Sequence, residues 1–103
     1  MSKRIGIIGD KDVVMPFGLF GFSLHYAQDE QAVRAQIREF ERKDYAVILI
    51  AENWAEKVKD LIDSYKERIT PAIILIPSHH GTKGIGLKEI AKNVEKAVGQ
   101  NIL

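Results

Sequence analysis

Apolar runs and helical stripes alternate along this chain, a pattern that predicts strands and helices in turn. The segments 46–50 and 72–76 are apolar at every position. Such unbroken runs are typical of parallel strands that are covered on both faces of a sheet. With two less regular runs they give four predicted strands, at residues 4–8, 21–27, 46–50 and 72–76, of which the second is expected at a sheet edge.

The segment after the second strand predicts the clearest helix, over residues 30–43. Asp29 is a suitable N-cap, since its carboxylate can accept a hydrogen bond from a free N–H of the first turn. Apolar residues recur with helical spacing and define a buried stripe: Val33, Ile37 and Phe40. The charged positions expected to face solvent are Arg34, Arg38, Glu41 and Arg42.

Two further helices are predicted over residues 53–67 and 87–98, the latter ending before Gly99 as a C-cap residue. A short helix over residues 13–20, capped by Asp12, is expected before the second strand, and the proline and glycine inside it keep it brief. The buried stripe of the 53–67 helix is Trp54, Val58, Leu61, Ile62 and Tyr65, and that of the last helix is Leu87, Ile90, Ala91, Val94, Ala97 and Val98.

Strands that alternate with helices across short connections predict a doubly wound, open α/β sheet with right-handed crossovers. The expected order of the four parallel strands is 2-1-3-4, with helices flanking the sheet. A helix-rich antiparallel α+β arrangement is the alternative. The chain length corresponds to a single domain over residues 1–103. Ile48 and Ile74, each in the middle of an apolar strand, are expected at the centre of its core.

The balance of charges argues against a nucleic-acid partner, because a net charge of +1 leaves no basic excess. The chain has no cysteine and hence no disulfide, Cys-ligated zinc or thiol nucleophile. Its longest apolar runs are far shorter than the roughly 18 residues that a membrane span needs, and no secretory leader is evident. A soluble, cytoplasmic protein without direct membrane insertion is expected.

Candidate chemistry falls at the ends of the predicted strands, where doubly wound sheets form their sites. Asp10 and Asp12 follow the first strand, as do the acidic residues with which response-regulator receivers hold Mg²⁺. A receiver also needs an acceptor Asp after the third strand, where this chain has Ala51 and Glu52. Asp10 and Asp12 are therefore expected to make turn and helix-cap hydrogen bonds. A receiver-like domain that binds Mg²⁺ and accepts phosphate at one of them is the alternative.

The Gly-rich loop 81–86 has the outline of a phosphate-binding turn. It lacks the Gly-Lys-Ser/Thr of a P-loop and the glycine spacing of a dinucleotide fingerprint. A small nucleotide-binding module is therefore only a third hypothesis. His79 and His80 are adjacent, and adjacent side chains diverge, so they are expected to be polar loop residues. No metal and no cofactor is expected.

Three phenylalanines and one strand edge are candidates for protein contacts. Phe17, Phe20 and Phe22 are interleaved with glycine in a segment without a basic residue, which favours the core or a protein contact over stacking on nucleic-acid bases. The strand at 72–76 carries no charge to guard its edge, and proteins seldom leave such an edge bare. A helix of this chain or a partner is expected to cover it.

Two blocks of the chain together resemble the F subunit of the V-type (V/A-type) rotary ATPases, which is called G in some bacterial sodium-pumping complexes. They are residues 9–22, GDKDVVMPFGLFGF, and 70–103, from TPAIILIPSHHGTKGIGL to VEKAVGQNIL. The resemblance extends over nearly the whole chain. It implies a four-stranded parallel sheet and a non-catalytic central-stalk subunit, without an active site of its own, that is peripheral to the membrane through its complex.

The resemblance also implies partners: the axle protein, or D subunit, in a heterodimer, the catalytic head and the membrane rotor connector. Through them the protein helps couple ATP hydrolysis or synthesis to proton or sodium transport. Because the sheet uses most apolar residues, few remain for these contacts. The expected partner-binding residues are Ile85, Leu87, Ile90, Val94, Ile102 and Leu103 in the C-terminal block, and Phe17 and Phe20 near the start.

Overall fold

The computed structural model describes residues 4–78, which form a four-stranded sheet. Its order is β2-β1-β3-β4, and every strand pair is parallel. The predicted α/β fold and strand order are confirmed, and the antiparallel alternative is wrong. The strands are β1 (Ile5–Gly9), β2 (Ser23–Tyr26), β3 (Val47–Ala51) and β4 (Ala72–Ile76).

The described helices are short except for one. They are α1 (Lys11–Val14), α2 (Glu30–Arg42), α3 (Glu52–Ala55) and α4 (Lys59–Asp63). Single 3₁₀ segments continue α1 over Met15–Phe20 and join α3 to α4 over Glu56–Val58.

β3 separates two apolar cores, because successive side chains of a strand point to opposite faces. Ile48 and Ile50 belong to the core under α2, α3 and α4. Val47 and Leu49 belong to the second core, together with residues of β1 and of the segment after it. Covering both faces removes the need for polar alternation, which explains the unbroken apolar run.

A glycine on β1 permits close packing of α2. A Cβ added to Gly6 would lie 2.6 Å from ring carbons of Phe40. That ring is 4% exposed, and its centroid lies 4.5 Å from that of Tyr45. The hydroxyl of Tyr45 is hydrogen-bonded to Ser23 Oγ at 2.7 Å. The missing side chain at position 6 therefore makes room for an aromatic pair that connects α2 to the sheet.

The helix predicted over residues 30–43 is confirmed as α2, which ends one residue earlier. Its cap is the expected one, since Asp29 Oδ1 accepts a hydrogen bond from the N–H of Ala32 at 2.7 Å. Arg34 and Glu41, expected to face solvent, are partly exposed and also contact the segment after β3. Arg34 donates to both carboxylate oxygens of Asp60, at 2.8 and 3.0 Å, and Glu41 accepts a hydrogen bond from Tyr65.

The short helix was predicted with the wrong start and cap. It begins at Lys11, with Asp10 rather than Asp12 before it, because the carbonyl of Asp10 accepts the first helical bonds, from Val13 and Val14 at 3.0 Å each. Pro16 has no N–H to donate, and the chain continues there as a 3₁₀ segment. Gly21, with φ of 78°, ends that segment, so β2 starts later than predicted.

The single helix predicted over residues 53–67 is also wrong, since it is broken at Val58 (φ −124°, ψ 28°). The break is supported from α2, where Arg34 Nη2 donates to the carbonyl of Lys57 at 3.4 Å. Val58, Ile62 and Tyr65 are buried as expected, whereas Trp54 and Leu61 are only partly buried. The last predicted helix, 87–98 with Gly99, lies outside the described residues.

One of the two residues expected at the centre of the core is fully buried. Ile48 is 0% exposed, but Ile74, on β4, is only partly buried. We expect Ile48→Ala to lower the free energy of unfolding by about 2–5 kcal/mol and Ile74→Ala by less than half of that loss. Urea unfolding of both variants measures the difference, and equal losses would contradict the packing described.

A cluster of Glu41, Tyr65 and Arg68 makes stability depend on pH. The phenol of Tyr65 donates to Glu41 Oε1 at 2.6 Å, and Arg68 pairs with the same carboxylate. Burial, followed by the bond to Glu41, raises the pKa of Tyr65 to about 12. The bond from Tyr65, followed by that from Arg68, lowers the pKa of Glu41 below its usual 4.5.

Because the raised pKa of Tyr65 favours the protonated phenol, its contribution is complete below pH 10 and is lost as the pH rises to about 12. The contribution of Glu41 is present above pH 4.5 and is lost as the pH falls through its lowered value. We expect Tyr65→Phe to flatten both slopes of unfolding free energy against pH. Tyr26→Phe, at an exposed position outside the cluster, is the matched control and should leave both slopes as in the wild type.

Candidate functional site

The carboxyl edge of the sheet brings together four polar residues that follow three different strands. Trp54 Nε1 donates to Asp10 Oδ1 at 2.8 Å, and Asn53 Nδ2 donates to Asp10 Oδ2 at 3.3 Å. The backbone N–H of Asn53 donates to Ser78 Oγ at 2.8 Å. We call Asp10, Asn53, Trp54 and Ser78 the Asp10 network. It connects the chain after β1, β3 and β4.

The network uses the Asp10 carboxylate as a structural acceptor. Each of its oxygens receives a hydrogen bond from a side chain of the segment after β3. Asp10 makes the expected turn and helix-cap bonds through its backbone carbonyl, whereas its side chain makes no capping bond. Asp12 lies exposed on α1. This edge is connected by hydrogen bonds between the segments that follow β1, β3 and β4.

The features of a receiver site are not assembled in the part of the chain that the structure describes. β3 ends at Ala51, which is buried, and the next residue is Glu52, which is exposed. Within residues 4–78, no group of three or more His, Asp or Glu residues could hold a metal ion. A polar edge built from Trp and Asn donors favours anchoring the carboxylate over binding a cation.

Sequence reasoning did not identify Asn53, Trp54 or Ser78 as partners of Asp10, and the helical spacing of Trp54 assigned it to a buried stripe. It packs against both apolar cores, and the ammonium of Lys57 lies 4.7 Å from its ring centroid. A usable signal was present. In the predicted order β1 and β3 are neighbours, so Asp10 and the indole that closely follows β3 must come close together.

His25 on β2 is the described histidine, and it lies away from the Asp10 network. It is opposite Ile8 in the register, on the edge strand remote from β4 and Ser78. Burial lowers the pKa of His25, and among residues 4–78 its Nε2 has no hydrogen-bond partner. Its burial favours a neutral imidazole. His25 and Ser78 lie at opposite edges of the sheet and so are not a catalytic pair.

A second feature is an apolar surface on the 3₁₀ segment after α1. Leu19 is 89% exposed, Met15 48% and Phe20 39%, and we call these three residues the apolar patch. The Phe20 ring centroid lies 6.3 Å from that of Phe17 and 5.8 Å from that of Phe22. The expected contact residue Phe20 is thus at the surface.

Phe17 lies beneath this surface, since it is 3% exposed and belongs to the second core. Phe17 is therefore a core residue in this chain, and its direct contact with a partner stays a prediction. The remaining expected contact residues lie outside the described residues: Ile85, Leu87, Ile90, Val94, Ile102 and Leu103, as do His79, His80 and the loop 81–86. No helix within residues 4–78 is long and apolar enough to cross a membrane.

Comparison with known protein families identifies the family of this chain. A sequence model described as ATP synthase (F/14-kDa) subunit matches residues 5–94. The chain belongs to this family. The resemblance to the F subunit of the V/A-type rotary ATPases is thereby confirmed.

Relatives in the F-subunit family match along the whole chain. The V-type ATP synthase F subunit of Clostridium perfringens (strain 13 / Type A) is 42% identical over 103 residues, which are all of this chain and 98% of the relative. That of Clostridium botulinum (strain Eklund 17B / Type B) is 40% identical over the full length of both. The A-type ATP synthase F subunit of Thermococcus kodakarensis is 34% identical, covering 93% of this chain and 94% of the relative.

A solved structure supports the fold. The crystal structure of the V-type ATP synthase F subunit from Archaeoglobus fulgidus superposes with a TM-score of 0.63 and 18% identity. The match covers 74% of this chain and 99% of that one. The four-stranded α/β architecture is therefore shared with a member of the F-subunit family.

We expect the isolated protein to bind neither Mg²⁺ with beryllofluoride nor ATP. Both oxygens of Asp10 accept hydrogen bonds, and the residue directly after β3 is Glu52 rather than Asp. Titrations followed by amide chemical shifts measure this. A receiver domain treated with the same reagents is the positive control. Saturable shifts around Asp10 or around residues 81–86 with micromolar midpoints would contradict the prediction.

Proposed function

We propose that the protein is a non-catalytic central-stalk subunit of a V/A-type rotary ATPase that binds the axle protein, the D subunit. The observation that carries this proposal is the match to F-subunit relatives over the whole length of the chain, at up to 42% identity. In this role it helps couple ATP hydrolysis or synthesis to proton or sodium transport. Nucleotide chemistry belongs to other subunits, and the chain has no active site of its own.

The carboxyl edge of the sheet supports an interaction role. Polar residues at this edge are where α/β proteins with this topology place their chemistry. Here the one acid that directly follows β1 is bound by an indole N–H and a side-chain amide. Such an arrangement connects the strands and engages each oxygen of the carboxylate with a side-chain donor.

The surface supports the same interpretation. Leu19 and Met15 extend from a segment in which no charged residue occurs between Asp12 and His25. Exposed apolar side chains that cluster around aromatic rings are typical of protein contacts. The apolar patch is therefore the part of the described surface that we assign to a neighbouring protein of the complex.

The axle itself is assigned to the C-terminal block, through Ile85, Leu87, Ile90, Val94, Ile102 and Leu103. A protein that holds an axle under torque needs an interface of standard size or more, about 1,200–2,000 Å² in total. The catalytic head and the membrane rotor connector are the other partners. The protein then lies on the cytoplasmic side, peripheral to the membrane through its complex.

Co-purification with the D subunit of the same organism tests the proposal. We expect the wild-type chain to form a stoichiometric complex and Ile85→Asp to abolish it, since a charge at an apolar contact leaves an unpaired, desolvated group. Ile69→Asp is the matched control, because Ile69 is 75% exposed and lies outside both proposed surfaces. It should bind as the wild type does.

The outcome also decides between the two surfaces. If Ile85→Asp binds like the wild type and Leu19→Asp does not, the apolar patch rather than the C-terminal block holds the axle. If the folded wild-type chain does not bind the D subunit, the proposed function is wrong. Thermal unfolding of each variant shows whether a loss of binding reflects a loss of fold.

A further inference from the structure

The start of α3 is capped by a residue from another part of the chain. Its own N-cap position is Ala51, which has no side-chain oxygen and makes no capping bond. A cap normally accepts from the second or third N–H of the helix. Here the N–H of Asn53, the second residue of α3, donates to Ser78 Oγ at 2.8 Å. The order of the first turn of α3 therefore depends on where the chain goes after β4.

Asn53 passes this dependence on to Asp10. Its backbone is held by Ser78 and its side-chain Nδ2 by Asp10 Oδ2. Among residues 4–78 the other side-chain atom, Oδ1, is buried without a hydrogen-bond partner. Asn53 is thus held by one backbone and one side-chain donor bond, and it connects the position of Ser78 to that of Asp10.

Trp54 completes the connection. Its indole N–H donates to the second oxygen of the same carboxylate, and its ring packs against both cores. The Asp10 carboxylate joins Asn53 to Trp54, and the start of α3 joins Asn53 to Ser78, so the three bonds form one continuous chain of contacts. Part-buried bonds to a charged acceptor are also the stronger kind in proteins.

We propose that the Asp10 network is a conformational coupling device, which transmits a displacement of the chain at Ser78 through Asn53 and Asp10 to Trp54. Residues 79–103 follow Ser78 directly in the chain, so a load that displaces the backbone at Ser78 is the input to this network. The coupling is a property of the isolated chain. That the D subunit supplies the load rests on the proposed function.

The single tryptophan makes the coupling measurable, because the chain gives one indole N–H signal in an NMR spectrum. Ser78→Ala removes the cap and should speed amide exchange at Asn53 about fivefold, the ratio that corresponds to a hydrogen bond of about 1 kcal/mol. It should also shift the Trp54 indole resonance. The matched control is Ser64→Ala, whose hydroxyl donates within its own turn to the carbonyl of Leu61, and which should change neither signal.

The reverse direction and the path are tested separately. Asp10→Asn should speed exchange at Asn53, since coupling is reciprocal. In an Asn53→Ala background, Ser78→Ala should no longer move the indole signal. The proposal is overturned if Ser78→Ala leaves the indole signal unchanged, or if Ser64→Ala moves it equally. If Ser78→Ala does not fold, two other variants test the proposal. Asp10→Asn should still speed exchange at Asn53, and Ser78→Thr, which retains the hydroxyl, should keep the wild-type signals.

Binding of the D subunit is scored independently of these signals. Coupling in the isolated chain without binding of the D subunit supports the Asp10 network and contradicts the proposed function. Binding of the D subunit without coupling overturns the network proposal and leaves the proposed function in place.

Discussion

The structure depends on the complete burial of β3. Each residue of Val47–Ala51 is 0% exposed, and the strand pairs with β1 on one side and β4 on the other. The two cores, on opposite faces of the sheet, therefore share this one strand. Since the strand cannot slip by one residue without exchanging its two faces, the register of the whole sheet follows from it. The carboxyl end of β3 then lies beside Asp10, which makes the hydrogen bonds of Asn53 and Trp54 possible.

The carboxyl edge of the sheet and the apolar patch differ in chemistry. At the edge, the carboxylate of Asp10 accepts hydrogen bonds from Asn53 and Trp54, and the backbone of Asn53 is bonded to Ser78. These bonds connect the segments that follow three strands. On the 3₁₀ segment after α1, Leu19 and Phe20 expose apolar surface above a buried Phe17. Both features occur in a chain that belongs to the family of the ATP synthase (F/14-kDa) subunit.

The sheet and α2 could be predicted from sequence because each is encoded locally. An unbroken apolar run identifies β3, and Asp29 with a regular stripe identifies α2. The break at Val58 could not be predicted, since it is supported by Arg34 from another helix. The partners of Asp10 lie more than forty positions away in the chain; the predicted neighbourhood of β1 and β3 brings that segment near Asp10, but no local pattern indicates which of its side chains donate. Tertiary contacts of this kind leave no periodic pattern.

The pairing of Gly6 with Phe40 has a consequence for the range of sequences that this fold accepts. A methyl group at position 6 would collide with the Phe40 ring, which is buried and packs at a tilt of 39° against the ring of Tyr45. Overpacking of that kind costs about 1–3 kcal/mol, so neither position can be enlarged alone. The two residues form one unit of variation, and a library that diversifies this domain has to change them together, a larger residue on β1 with a smaller one on α2.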